Sequence, residues 1–415
     1  MSRFTARFTS TFEDKDDSGD ENKTVFADES VPVFPCYNLY PRSSKLSVSG
    51  NSARLKSINL NDNNDIEEDT LPIRRIGARK RDNPFKKYQV PDEIVDVIFS
   101  NLRKRDLLSA MQVCQQFYAV GHVSRNWTIT DVMERPITEL TLITLMKRKI
   151  RILRLAGAKP DPISRVNVRM FASCMLGTSR IECLDLSRAN LTVRQLLILL
   201  KPCRKLQCLS VEGNVLDDQV ASCISDNKNL RELDISMTRG ISINGARMIS
   251  QKCNNLEQLN ASWCGLSEPI LRVIIDNITD KLRKLNLSGS IREDGLNDEL
   301  VDAFSSKADN ITDLDLSDNG QLGDAVVATI MARFPKLTHL SLNRCYAMDP
   351  NIIVHLNIKP SLIFLNVHGC ITENNMKLFL QMCDRLKCNT QLFNFTAKPT
   401  SNNAPFIWGH NMLEY

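Results

Sequence analysis

Leu256-Glu257-Gln258-Leu259-Asn260-Ala261-Ser262-Trp263-Cys264 sets three apolar residues at spacings of three and two and closes on a small polar turn. The same phase recurs along the chain. The middle leucine falls at Leu153, Leu184, Leu209, Leu233, Leu259, Leu285, Leu314, Leu340 and Leu365. Three residues before it stands Ile150, Ile181, Leu206, Leu230, Leu256, Leu282, Ile311, Leu337 or Leu362. Two residues after it comes Leu155, Leu186, Val211, Ile235, Ala261, Leu287, Leu316, Leu342 or Val367. The repeats are spaced roughly 24 to 31 residues apart. Each supplies a short parallel strand and a returning helix, and only stacking on neighbours buries the leucines.

This is the leucine-rich repeat. The expected fold is an α/β solenoid over residues 131–390, with about nine or ten repeats, strands on the concave face and helices outside. It absorbs a length of 415 residues that would otherwise imply several globular units. Five residues past the fixed leucine the repeat calls for Asn or Cys, and here stand Asn214, Cys264, Asn319, Cys345 and Cys370. Cys203, Cys253 and Cys383 precede strand anchors by three residues, at the buried end of a helix. These thiols read as structural. There is no C-x-x-C pair, and the five histidines form no metal-ligand spacing with the cysteines, so neither a metal nor a cofactor is expected. No phosphate loop or acid/base pair suggests an enzyme.

The 53 basic and 48 acidic residues leave +5 over the whole chain, far below the field of a dedicated nucleic-acid binder. No apolar run is long enough for a membrane span. The first residues lack the apolar stretch of an export signal, and an odd count of 13 cysteines then fits free thiols in a reducing compartment. Residues 1–87 show no sustained period and read as mostly disordered. They end in a basic cluster, Arg74, Arg75, Arg79, Lys80, Arg81, Lys86 and Lys87, which is either a solvated linker or a nuclear-import signal. The expected location is nucleus and cytoplasm.

Function belongs on the concave face. The residue after each fixed leucine is small and polar (Asp185, Ser210, Asp234, Asn260, Asn286, Asp315, Ser341, Asn366), mainly a scaffold feature. Four residues after it the row varies: Arg188, Gly213, Met237, Trp263, Gly289, Asp318, Arg344, Gly369. Trp263, Asp318 and Arg344 are expected to project from one register of the curved sheet, a make-up suited to protein binding.

From Val90 the pattern turns helical. Ile94, Ile98 and Leu102 recur at four-residue steps, behind Pro91 with Asp92 and Glu93 at the positive end of a helix. Such a small unit has more apolar residues than it can hide, which points to a docking module. The ordered set Val90-Pro91-Asp92-Glu93-Ile94, Ile98-Phe99-Ser100, Leu102, Asp106-Leu107-Leu108, Val113-Cys114, Phe117 and Trp127 resembles an F-box, a three-helix unit over residues 88–130. The resemblance implies that Pro91, Asp92, Glu93, Ile94, Ile98, Phe99, Leu102, Leu107, Leu108, Val113, Cys114, Phe117 and Trp127 serve binding of a Skp-type adaptor that hangs from a cullin scaffold with its RING subunit.

The resemblance narrows in the repeats. Leu259 to Cys264, His339-Leu340-Ser341-Leu342-Asn343-Arg344-Cys345-Tyr346 and the tail Phe393 to Thr400 with Ile407-Trp408-Gly409 are similar to the S-phase kinase-associated F-box family. That likeness implies a tail, residues 391–415, folded back on the concave face. It also implies a substrate receptor of an SCF-type ubiquitin ligase, non-catalytic itself. Its partners would be a phosphorylated protein substrate, such as a cyclin-dependent kinase inhibitor, and a small cyclin-dependent kinase regulatory subunit. Trp263, Asp318 and Arg344 would fall on that surface. The alternative is a leucine-rich scaffold or inhibitor that binds a partner without ubiquitin transfer.

Overall fold

A strand of three residues can commit only its central side chain to the interior, so the sheet must be assembled from many repeats. The computed structural model describes residues 90–412 apart from 124–126, 162–168, 170–171, 173–175, 290–293 and 401–405. The segment expected to be disordered and the basic cluster at 74–87 lie outside the described residues. Eleven strands form one parallel sheet in chain order, from Ile129–Asp131 to Lys387–Cys388. The register follows the repeat: Leu153 opposes Leu184, Leu184 opposes Leu209, Leu259 opposes Leu285 and Leu340 opposes Leu365.

Helices such as Val193–Leu200, Asp218–Ser225, Ile243–Lys252 and Asp298–Ser305 return the chain. Their starts are written locally. Thr192, Asp217, Ser242 and Asn297 each accept a bond from the backbone N–H three residues on, satisfying donors that the helix itself leaves free. The fixed leucines are fully buried in most repeats, and one continuous apolar core runs from Val95 and Phe99 to Phe379 and Cys383.

The turn after each strand carries the second regularity. Asn214 Nδ2 donates to the Leu186 carbonyl (2.8 Å) and Asn319 Nδ2 to that of Leu287 (3.1 Å). The thiols of Cys264, Cys345 and Cys370 donate to Ile235, Leu316 and Leu342 at 2.9, 3.2 and 2.9 Å. Every acceptor is the carbonyl two residues past the leucine of the preceding repeat. Asn and Cys are interchangeable here because each offers a short donor that fits a buried turn. Cys203, Cys253 and Cys383 are likewise buried, and all cysteines among the described residues are free thiols.

Three short helices precede the sheet: α1 (Asp92–Phe99), α2 (Lys104–Ala110) and α3 (Gln115–Val123). Phe99 meets Phe117 edge-to-face with centroids 5.2 Å apart. Gln116 ties the start of α1 to α3 through Asp92 Oδ1 (2.9 Å) and the Val90 carbonyl (3.0 Å). The unit is seated on the solenoid by Lys104, whose ammonium donates to the Ile129 carbonyl. Trp127 also seats it: its indole N–H donates to the Gly121 carbonyl, and Arg148 lies 3.9 Å over its ring.

Replacing Asn319 by Ala removes the side-chain donor from the Leu287 carbonyl in an apolar interior and leaves that of Leu316 with the Cys345 thiol alone as a side-chain donor. The expected loss is about 1–3 kcal/mol of unfolding free energy by urea denaturation. Asn319→Cys, which keeps a donor, should lose less. Equal stability of Asn319→Ala and the parent chain would contradict the role of the turn bond.

Candidate binding surfaces

The N-terminal helices divide their apolar residues into two sets. Phe99, Leu107 and Trp127 are buried within the chain, so they hold the unit together and do not face outward. Leu102, Leu108, Cys114 and Phe117 are half-buried. Ile94, Ile98 and Val113 are 51%, 48% and 70% exposed, joined by Val97 and Tyr118. Ile94, Val97 and Ile98 occupy one stripe of α1 at three- and four-residue steps, flanked at its start by exposed Pro91, Asp92 and Glu93. Neither Val97 nor Tyr118 is among the docking residues expected from the sequence.

The row of Trp263, Asp318 and Arg344 is displaced from where the sequence puts it. These residues are not on the strands; they stand in the turns just beyond them. Arg188, Met237, Trp263, Asp318 and Arg344 all have φ between 54° and 59°, and Gly213, Gly289 and Gly369 share the register at 75–78°. The left-handed backbone explains the glycines and strains the others slightly. It also sets what lies next to what. Gly289 is no gap, because a Cβ there would overlap the Trp263 indole, which lies across it. At Gly369 a Cβ would come within 3.1 Å of the Arg344 side chain. Arg344 forms a two-bond ion pair with Asp318, through Nε to Oδ1 and through Nη2 to Oδ2 at 2.6 Å. The structure therefore joins Asp318 with Arg344 and places the 43% exposed Trp263 earlier in the same line, over Gly289.

The residue after each leucine proves to be buried scaffold. Oδ1 of Asp185, Asp234, Asn260, Asn286 and Asp315 accepts the N–H of the serine two residues on, at 2.9–3.1 Å. Burial pushes the carboxyls of Asp234 and Asp315 up to about 6. The side chains that line the concave floor sit instead one residue before each leucine, where every strand from Cys208 onward is half-buried. There Asp313 lies 3.8 Å from Lys284 and 3.5 Å from His339. The His339 ring stacks on Phe364 at 4.4 Å, and Lys387 lies over Phe364. Sequence reasoning passed over this row because its residues share no chemistry.

The tail crosses the floor in reverse chain order. The Gln391 N–H donates to Asn366 Oδ1, and Asn343 Nδ2 donates to the Leu392 carbonyl. The Ala397 N–H donates to Gln258 Oε1 at 2.9 Å, and Lys398 Nζ lies 3.4 Å from Glu212 Oε1. Ile407 and Met412 then cover Ile129, Ile152 and Cys183. Between these ties, Leu392, Phe393 and Phe395 remain exposed.

A parallel solenoid behind a three-helix unit, each with an outward contact surface, defines a repeat-based binding protein with a separate docking module. A sequence model of the SKP2 leucine-rich-repeat domain matches residues 141–413, and an F-box-like model matches residues 88–128. The chain belongs to the SKP2-type F-box and leucine-rich-repeat family. It is similar to the DNA repair protein rhp7 of Schizosaccharomyces pombe, 22% identical over 155 residues, which are 34% of this chain and 27% of that protein. The chain thus spans about a quarter of that relative's length. Among solved structures, the yeast Rad7–Elc1 complex aligns at 16% identity and a TM-score of 0.32, over 74% of this chain and 95% of that one. LegL7 of Legionella pneumophila aligns at 15% and 0.37, over 55% and 78%.

Gly289→Ala should force the indole of Trp263 off its seat and strain the turn, with a shift in tryptophan emission that is absent in a Trp263→Phe background. An unchanged spectrum would show that the indole does not rest there. The buried carboxyl of Asp315 makes a second prediction. Its pKa is raised on folding, so its contribution is present below pH 4 and lost as pH rises through about 6. Asparagine already does the same work at Asn260 and Asn286. Asp315→Asn should therefore gain about 1–3 kcal/mol at pH 7.5 and nothing near pH 4 in urea unfolding; no gain at pH 7.5 would contradict this.

Proposed function

We propose that the chain is the substrate-recognition subunit of an SCF-type cullin–RING ubiquitin ligase. The observation that carries the proposal is the split of the N-terminal helices. Phe99, Leu107 and Trp127 fill their own core, and Ile94, Val97, Ile98 and Val113 are left facing water. A stripe of this kind gains by docking on an apolar partner, and the F-box-like match supports a Skp-type adaptor, leading to a cullin scaffold and its RING subunit, as that partner. The receptor does no covalent chemistry in this account. It raises the effective concentration of a target's lysines near a charged conjugating enzyme.

The target surface is the turn row with the tail beside it. Trp263 supplies a rigid aromatic face, and the Arg344–Asp318 pair offers a charged group already held in place. By likeness to the family, the target is a phosphorylated cell-cycle regulator such as a cyclin-dependent kinase inhibitor, presented with a small cyclin-dependent kinase regulatory subunit. The location proposed is nucleus and cytoplasm, a reading supported by the basic residues Arg74 to Lys87.

Ile98→Glu puts a carboxylate in the middle of the exposed stripe and touches nothing in the core. It should lower adaptor affinity at least 100-fold in a pull-down or calorimetric titration, and deletion of residues 90–127 should abolish binding. Capture of a phosphorylated inhibitor peptide with the accessory subunit should survive Ile98→Glu and weaken in Arg344→Ala. Undiminished adaptor binding by Ile98→Glu would overturn the proposal.

A further inference from the structure

A hollow of about 270 Å³ opens beside the junction of the N-terminal helices and the first repeats. Lys147, Arg148, Lys149 and Arg180 line it, with Gly177 and Thr178 completing one wall, and among the described residues no carboxylate takes part. Lys147 ends the helix Glu139–Lys147, where the dipole favours a cation. That accounts for one positive charge near the helix end and not for four converging on one space.

Arg148 is the group that needs explaining. Its guanidinium packs on Trp127, its Nε is buried without a hydrogen-bond partner, and burial pushes its pKa down to about 10. Several other arginines are paired: Arg151, Arg154, Arg188, Arg194, Arg204 and Arg344 each have a carboxylate within ion-pair distance. None of the four cations at the hollow has such a partner among the described residues. A desolvated cation without a counter-charge is costly, and a planar guanidinium held by a ring is suited to two-point binding of a tetrahedral oxyanion. Among the described residues no aromatic ring lines the hollow to stack a base, and its volume falls below that of sites for drug-sized molecules.

We infer that this hollow binds a phosphate-bearing ligand, a short polyphosphate or a phosphate monoester, gripped by Arg148 and Arg180 with Lys147 and Lys149 at its rim. The inference is independent of the receptor function. The full chain is titrated calorimetrically with tripolyphosphate at an ionic strength fixed with KCl, then with a phosphoserine peptide. The same titrations are run on Arg148→Gln, Arg180→Gln, Lys149→Gln and, on the concave floor, Lys284→Gln. One saturable site is expected, weakened at least tenfold in Arg148→Gln and Arg180→Gln, several-fold in Lys149→Gln, and unchanged in Lys284→Gln. Tighter binding of tripolyphosphate assigns a free ligand; tighter binding of the peptide assigns a phosphorylated partner. Arg180 and Lys149 are exposed, so their variants read the site even where Arg148→Gln disturbs folding. No saturable binding, or equal affinity in the parent, Arg180→Gln and Lys149→Gln, overturns the inference.

Discussion

Five of the nine repeats are closed by one buried donor. The side chain five residues past the leucine, Asn214, Cys264, Asn319, Cys345 or Cys370, satisfies a carbonyl that the preceding three-residue strand has withdrawn from water. The residue before each of these donors has a left-handed backbone, with φ of 58–78° at Gly213, Trp263, Asp318, Arg344 and Gly369. The candidate target row is a by-product of this constraint. Glycines in the row leave room for the large side chain of the preceding repeat, as Gly289 does for Trp263 and Gly369 for Arg344.

The second constraint is the continuous core. α1 contributes Val95 and Phe99 to the same apolar body that ends at Phe379 and Cys383. With Lys104 on the Ile129 carbonyl and Arg148 on Trp127, the N-terminal helices and the repeats share one packed core. Such a core suits a receptor that acts by proximity, since a fixed span between docking face and target surface is what sets effective concentration.

Much of this was legible in the residues. The leucine phase determined the strands and their register, and the Asn/Cys position named the donors of the turn bond before any contact was known. The docking helices were visible from Ile94, Ile98 and Leu102, but periodicity does not say which apolar residues a small unit keeps for itself, and Phe99, Leu107 and Trp127 turned inward. The row of Trp263 was set on the strand because a repeat pattern does not show where a three-residue strand ends; the glycines at 213, 289 and 369 carried that signal. The floor of Lys284, Asp313, His339 and Phe364 stayed hidden, since cross-strand pairs of unlike residues leave no period.

The central claim is that one rigid body holds an adaptor at residues 90–127 and a target at the concave edge simultaneously. Cross-linking mass spectrometry on a purified mixture of adaptor, full chain and phosphorylated target with its accessory subunit tests it most directly. The account predicts a single particle in which the adaptor cross-links near α1 and α3 while the target cross-links beside Trp263, Arg344 and the tail. Mutually exclusive binding, or target cross-links confined to the convex helices, would contradict it.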